Sequence, residues 1–218
     1  MQNSTNPQIF PAGQANFQLA IPNGELELLT VAVENPRGIA VICHPHPLQA
    51  GTMNNKVVTT LHKAFHEANM HTVRFNFRGV GKSTGEFAEG IGEAEDLIAL
   101  LDWVAQLNPD LPLYLAGFSF GSYVSYRVAS LSPYKNKLQQ LISIAPPLKY
   151  PEFPKLPLPA CPWLIVQGEQ DEIVEPQVLY DWLEQHDNPA TLIRFSDTGH
   201  FFHGKLIELR EVVLKNLM

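Results

Sequence analysis

The chain has 218 residues, of which 45% are hydrophobic and 17% charged, and its 15 Lys and Arg against 22 Asp and Glu give a formal net charge of −7. That is a globular composition, in a chain long enough to bury a core without disulfide or metal support. The acidic balance counts against a nucleic-acid binder and against a polybasic membrane anchor. No apolar run approaches the roughly 18 residues of a membrane span, and Cys43 and Cys161 stand too far apart for a disulfide framework or a zinc site.

The opening MQNSTNPQIF lacks the cationic and apolar regions of a secretory signal, so a cytoplasmic protein is expected and the sequon Asn3-Ser4-Thr5 carries no meaning. Residues 1–14 read as a loose lead-in and 15–218 as one domain. Strands are predicted at 15–21 and 26–33, then at 38–43 (GIAVIC), followed by a helix over 55–69 with Val57, Leu61, Phe65 and Ala68 on one face. A strand at 71–77 (HTVRFNF) precedes a helix over 91–107, which Asn108-Pro109 stops. The strand 112–118 (PLYLAGF) leads into a short helix over 120–131, and 139–145 is the next strand. Residues 146–162 hold seven prolines, which forbids regular structure and reads as an extended crossover. The alternation then resumes: strand 162–168, helix 176–186 opening on Pro176, strand 190–196, and helix 204–217. Several strands are continuous apolar runs, as expected where helices cover both faces of a parallel sheet. There is no internal repeat.

Gly117-Phe118-Ser119-Phe120-Gly121 is a G-x-S-x-G pentapeptide between the strand PLYLAG and a helix, the strand-turn-helix setting of a nucleophile elbow. Glycines are needed there because the sharp turn brings strand and helix too close for side chains. The alternative is a plain Gly/Ser turn. A serine hydroxyl is a weak nucleophile and needs a base, which in turn needs an orienting acid. Both are expected later in the chain, acid before histidine. Strand 162–168 runs into Gly168-Glu169-Gln170-Asp171-Glu172, and strand 190–196 into Asp197-Thr198-Gly199-His200. Asp171 is assigned as orienter, with Glu169, Glu172 and Glu175 as local competitors. His200 is assigned as base over His203, because it lies nearer the strand end, whereas His203 reads as helix entry. His62, His66, His71 and His186 read as surface residues.

A tetrahedral intermediate needs backbone N–H donors. Phe120, first in the helix after the serine, supplies one. The loop Cys43-His44-Pro45-His46-Pro47-Leu48 supplies the other; its prolines have no N–H, which leaves His46 or Leu48, with His46 favoured. His44 and His46 lack a third ligand, so no metal is expected. Gly79-Val80-Gly81-Lys82-Ser83-Thr84 contains G-K-S-T, but the glycine that a phosphate loop requires is replaced by Asn76, and no apolar helix follows at once. Residues 78–85 therefore read as a tight loop, with Arg78 and Lys82 as solvated charges.

Taken together, the HPHP loop, RGVGKSTGEF, GFSFG, GEQDEIV and the late Gly199-His200 resemble the α/β-hydrolase superfamily, in the right order over residues 15–218. The chain looks most like small bacterial hydrolases related to dienelactone hydrolases and lidless esterases. The resemblance implies an α/β fold with an eight-stranded, mostly parallel sheet, the second strand antiparallel, and a triad carried by Ser119, Asp171 and His200. Dienelactone hydrolases use a cysteine nucleophile, so their lactone chemistry does not transfer to Ser119. Larger members carry a lid between the sixth and seventh strands, and the proline-rich crossover is too short for one. An open site is expected, with Leu48, Leu148, Tyr150 and Phe201 as substrate contacts and Phe153 and Phe202 beside them. The expected function is a cofactor-independent serine hydrolase acting on small-molecule esters or thioesters of short acyl groups, without nucleic-acid or membrane partners. A peptidase of the same fold, a non-catalytic binding protein and a nucleotide-binding domain are the rivals. Oligomeric state is not legible.

Overall fold

The computed structural model describes residues 6–187 and 190–218, so the sequon Asn3-Ser4-Thr5 lies outside the described residues. Eight strands form one sheet: β1 (Gln14–Ile21), β2 (Gly24–Val31), β3 (Ile39–Cys43), β4 (His71–Phe75), β5 (Leu113–Phe118), β6 (Leu138–Ile144), β7 (Trp163–Gly168) and β8 (Thr191–Phe195). Their order is β1-β2-β4-β3-β5-β6-β7-β8. β2 runs antiparallel to both its neighbours, and every pairing from β4 to β8 is parallel. Among the described residues five α-helices pack on it: α1 (Lys56–Glu67), α2 (Ile91–Leu107), α3 (Phe120–Leu131), α4 (Pro176–Gln185) and α5 (Leu206–Lys215). This is the α/β-hydrolase fold without a cap domain.

The two-residue period of each central strand deals its side chains to two cores. Val41, Cys43 and Leu115 join Leu97 and Leu101 of α2, Val124 of α3 and Leu179 of α4 on one face. Ile42, Ala116 and Phe118 join Leu61 and Phe65 of α1 and Leu209 and Val213 of α5 on the other. A strand with both faces covered has no room for polar alternation, which is why Ile39–Cys43 and Leu113–Phe118 are buried at every residue. Each fully buried aliphatic or Phe side chain contributes about 1.5–3 kcal/mol.

Three local expectations are corrected. The lead-in is docked from residue 6. The Asn6 side chain pairs with both backbone groups of Ala20 at 2.8 Å, and Phe10 stacks on His71 with ring centroids 4.3 Å apart. His71 is accordingly not a surface residue; it is buried and its Nδ1 accepts the Val33 N–H at 3.1 Å. β4 stops at Phe75 because the N–H of Phe77 turns to the His44 imidazole, at 2.9 Å, instead of continuing the ladder. The proline-rich crossover holds only a 3-10 turn at Phe153–Lys155.

The G-K-S-T segment is a brace against β2. Ser83 Oγ donates to Asn76 O at 2.6 Å and accepts the Glu27 N–H at 2.9 Å; Thr84 Oγ1 accepts the Glu25 N–H at 2.8 Å. Its hydroxyls are thus committed within the fold. Arg78 is not a solvated charge: it forks onto Asp96 of α2 with two contacts of 2.7 Å. No helix among the described residues is long and apolar enough to cross a membrane.

Candidate active site

The carboxyl ends of β3, β5, β7 and β8 all open on the same edge of the sheet. At the end of β5 the chain turns within one residue into α3. Ser119 makes that turn with φ 53° and ψ −120°, a left-handed backbone that a non-glycine residue adopts under strain. It is held there by its N–H donating to Ile144 O at 2.8 Å and by its carbonyl accepting from the Ser122 N–H at 2.9 Å. The flanking glycines follow from close approach. A Cβ on Gly117 would lie 2.3 Å from the Gly121 carbonyl, and one on Gly121 would lie 2.5 Å from the carbonyl oxygens of Cys43 and His44.

The loop after β7 carries Asp171, and the loop after β8 carries His200. The two meet, with Nδ1 of His200 at 2.8 Å from Oδ2 of Asp171. Asp171 Oδ2 also accepts from Gln167 Nε2 at 3.1 Å, and its Oδ1 accepts the N–H groups of Ile173 at 2.9 Å and Val174 at 2.7 Å. Burial alone would push this carboxyl up. The hydrogen bonds from His200, Val174 and Ile173, with the His200 charge, outweigh it and hold the carboxyl below its ordinary value. With Nδ1 donating to the carboxylate, a neutral His200 carries its lone pair on Nε2. The imidazole packs on the Phe118 ring at 4.9 Å, directly before the serine, and on Phe201 at 5.1 Å.

The competing acids do other things. Glu172 accepts the backbone N–H of His200 at 3.1 Å, steadying the loop rather than the ring, and Glu169 and Glu175 are exposed. His203 is exposed as well. The positioning contacts of Gln167 and Glu172 escaped the sequence reading, since nothing local marks a strand glutamine as reaching a carboxylate four residues on.

The tight approach of Gly121 to Cys43 and His44 sets the loop after β3 beside the start of α3. His46 and Phe120 rings lie 5.1 Å apart. Of the two candidate donors in that loop, the Leu48 N–H is taken by His46 Nδ1 at 3.2 Å, whereas the His46 N–H has no acceptor among the described residues. The Phe120 N–H is likewise unpaired among them. His44 pins the loop from beneath. Its Nε2 accepts the Phe77 N–H at 2.9 Å and its Nδ1 donates to Pro45 O at 2.6 Å, and burial lowers its pKa to about 4 against the latter bond.

The expected substrate contacts divide. Tyr150 lines a cavity of about 390 Å³ that also touches His46, and Phe201 rests against His200. Leu148 does not line that cavity; it is 5% exposed and belongs to the core. Leu48 projects outward at 72% exposure and does not line that cavity. Phe153 and Phe202 are fully buried packing residues. Phe87 and Tyr123, absent from the expected set, do line the cavity. No group of three or more His, Cys, Asp or Glu side chains that could hold a metal ion occurs among the described residues.

A family model described as Hydrolase_4, "Serine aminopeptidase, S33", matches residues 34–161. The chain belongs to this hydrolase family. The Hydrolase_4 match contains the loop after β3 and the Ser119 turn, and stops short of Asp171 and His200. Two solved structures extend the similarity over those loops. An α/β serine hydrolase homologue from Coxiella burnetii is 48% identical with a TM-score of 0.88, covering 94% of this chain and 98% of its own. A serine hydrolase without a lid from Xanthomonas campestris is 44% identical with a TM-score of 0.88, covering 96% and 95%. An uncharacterised Rickettsia prowazekii protein is 34% identical over 203 residues, 88% of this chain and 84% of that one.

Proposed function

We propose that the protein is a serine hydrolase that cleaves carboxylic esters or thioesters of small or short acyl groups through an acyl-enzyme on Ser119. The observation that carries this reading is the 2.8 Å contact of Asp171 with His200, formed where the imidazole packs on the residue preceding the strained Ser119. His200 Nε2 takes the hydroxyl proton as Ser119 Oγ attacks the acyl carbon. The oxyanion receives the N–H groups of Phe120 and His46. The tetrahedral species collapses, and the imidazolium returns the proton to the departing alcohol or thiol. Water then attacks the acyl-enzyme with His200 again taking the proton, the bond to Ser119 Oγ breaks, that proton returns to Ser119, and the acid product leaves. Asp171 stays ionised throughout and fixes the tautomer. Each donor to the oxyanion is worth about 10²–10³ in rate and the base about 10²–10⁴. The partner is a small molecule, with no nucleic acid and no membrane required.

A fluorophosphonate probe tests the assignment. Labelling at Ser119 that vanishes in Ser119→Ala supports it, and folded protein that stays unlabelled makes this a binding protein on a hydrolase scaffold. The family description favours a second reading, amide cleavage at a peptide's amino end. Aminoacyl p-nitroanilides assayed beside p-nitrophenyl esters separate the two.

A further inference from the structure

Resting on the esterase reading, we propose that the cavity beside His46 receives an uncharged aromatic ring carried by the ester, on either its acyl or its alcohol side. The cavity, about 390 Å³, begins at His46, whose N–H, without an acceptor among the described residues, is the second oxyanion donor of the proposed mechanism. Its wall continues through Phe87, Tyr123 and Tyr150. These rings cluster around Phe120, the residue after the serine, with centroids 5.1, 5.6, 6.2 and 5.9 Å away for His46, Phe87, Tyr123 and Tyr150. A group leaving the acyl carbon toward this loop therefore meets ring faces and edges. Ile91 and Pro151 are the aliphatic side chains in the lining, against four aromatic rings. A flexible alkyl chain would find little there to grip, whereas flat rings pack well against one another in offset or edge-on geometry.

The wall is also fixed in advance. Tyr123 stacks on Tyr150 at 5.1 Å with planes 3° apart, and it sits over Gly90, where a Cβ would lie 2.4 Å from the ring. Size fits the proposal: an apolar cavity of about 150 Å³ accommodates benzene, so this one takes a ring with a short linker. Charge narrows it further. Glu89 and Glu152 stand in the lining, and the buried Glu93 carboxylate lies behind, bound by the N–H groups of Ala88 and Gly90 at 2.8 Å. Lys155 pairs with Glu152 at 3.0 Å and Glu89 has no ion pair among the described residues, so Lys149, which donates to Ile173 O at 3.1 Å and whose charge reaches His46, is outnumbered by the carboxylates. A ring bearing a carboxylate would be repelled at Glu89.

The test compares kcat/KM for methyl 3-phenylpropanoate with methyl hexanoate, and for 2-phenylethyl acetate with hexyl acetate. A third comparison sets methyl 3-phenylpropanoate against its para-carboxylate derivative. The expected result is a preference of about 10-fold for the aryl ester in one of the first two pairs, which says on which side the ring sits. A rejection of about 10-fold for the carboxylate is expected beside it. Tyr150→Leu and Phe87→Leu, each checked for a native melting transition, should cut the aryl-to-alkyl ratio several-fold. Glu89→Gln should relax the rejection. Equal rates on aryl and alkyl esters in both pairs, or a ratio unmoved in both leucine variants, overturn the proposal. If p-nitrophenyl acetate hydrolysis and fluorophosphonate labelling still depend on Ser119, that failure touches the pocket alone; if they do not, the esterase reading falls and the pocket proposal with it.

Discussion

His44 makes the fold sensitive to mild acid, and the size of the effect can be worked out. The ring is fully buried, accepts from the Phe77 N–H through Nε2 and donates to Pro45 O through Nδ1. A second proton on Nε2 would point at an N–H and break the link between the loops after β3 and β4. Burial thus holds the folded-state pKa at about 4, from an ordinary value of 6.5. Between those values the unfolded chain binds more protons, so this contribution is fully present above pH 6.5 and is lost as the pH falls toward 4. At about 1.4 kcal/mol per pH unit, His44 alone should lower the unfolding free energy by about 2 kcal/mol on going from pH 7 to pH 5. His62, half-buried and also lowered to about 4 by burial and by the charges of Arg74, His66 and Lys63, acts with the same sign. The informative comparison is therefore wild type against His44→Gln, which leaves His62 in place. Urea denaturation at pH 7, 6 and 5 should show the variant weaker at neutral pH but flatter with acid by about 2 kcal/mol. A variant that loses as much stability as wild type over that range would refute the reasoning.

Three further outcomes follow from the geometry. Asp171→Asn should lower kcat by about 10⁴ while the protein stays folded, because the amide can no longer fix the His200 tautomer; a loss under 10-fold on a p-nitrophenyl ester would remove Asp171 from the mechanism. Gly121→Ala forces a Cβ to within 2.5 Å of two backbone oxygens, so it should cost about 1–3 kcal/mol by denaturation and reduce esterase activity by moving α3 from the His46 loop. Arg78→Met strands Asp96, which is 2% exposed, and should destabilise by about 3–5 kcal/mol, with much of that recovered in the double variant Arg78→Met/Asp96→Leu.

The fold was legible because its signals are local and repeated. A central strand covered on both faces must be apolar throughout, and Ile39–Cys43 and Leu113–Phe118 announce themselves in any window of the sequence. The turn at Ser119 is equally local, since the glycines that permit it flank the serine. What stayed illegible depends on distant partners. His71 reads as a surface residue until Phe10, from the lead-in, is seen stacked on it. Arg78 reads as solvated until α2 delivers Asp96. Four acids share the loop after β7, and only the assembled sheet selects Asp171 for the imidazole while turning Glu172 to a backbone N–H. Leu148 lies in a proline-rich crossover that has no period, so its inward face could not be read from sequence.

The surroundings of Asp171 bear on how the proposed chemistry divides its labour. Its carboxylate accepts from four donors, of which His200 is one and Gln167, Ile173 and Val174 supply the rest. Donors that bind the ionised form lower its basicity while locking its plane. A carboxylate so held orients and stabilises an imidazolium without taking its proton, so the proton gained from the serine stays on the imidazole, available for the leaving group. The same contacts tie this arrangement to β7 itself, through the Gln167 side chain, rather than to a loop alone. Positioning drawn from a strand is stiffer than positioning drawn from a turn. The acid and base can therefore keep their geometry on an edge with no cap domain to close over them.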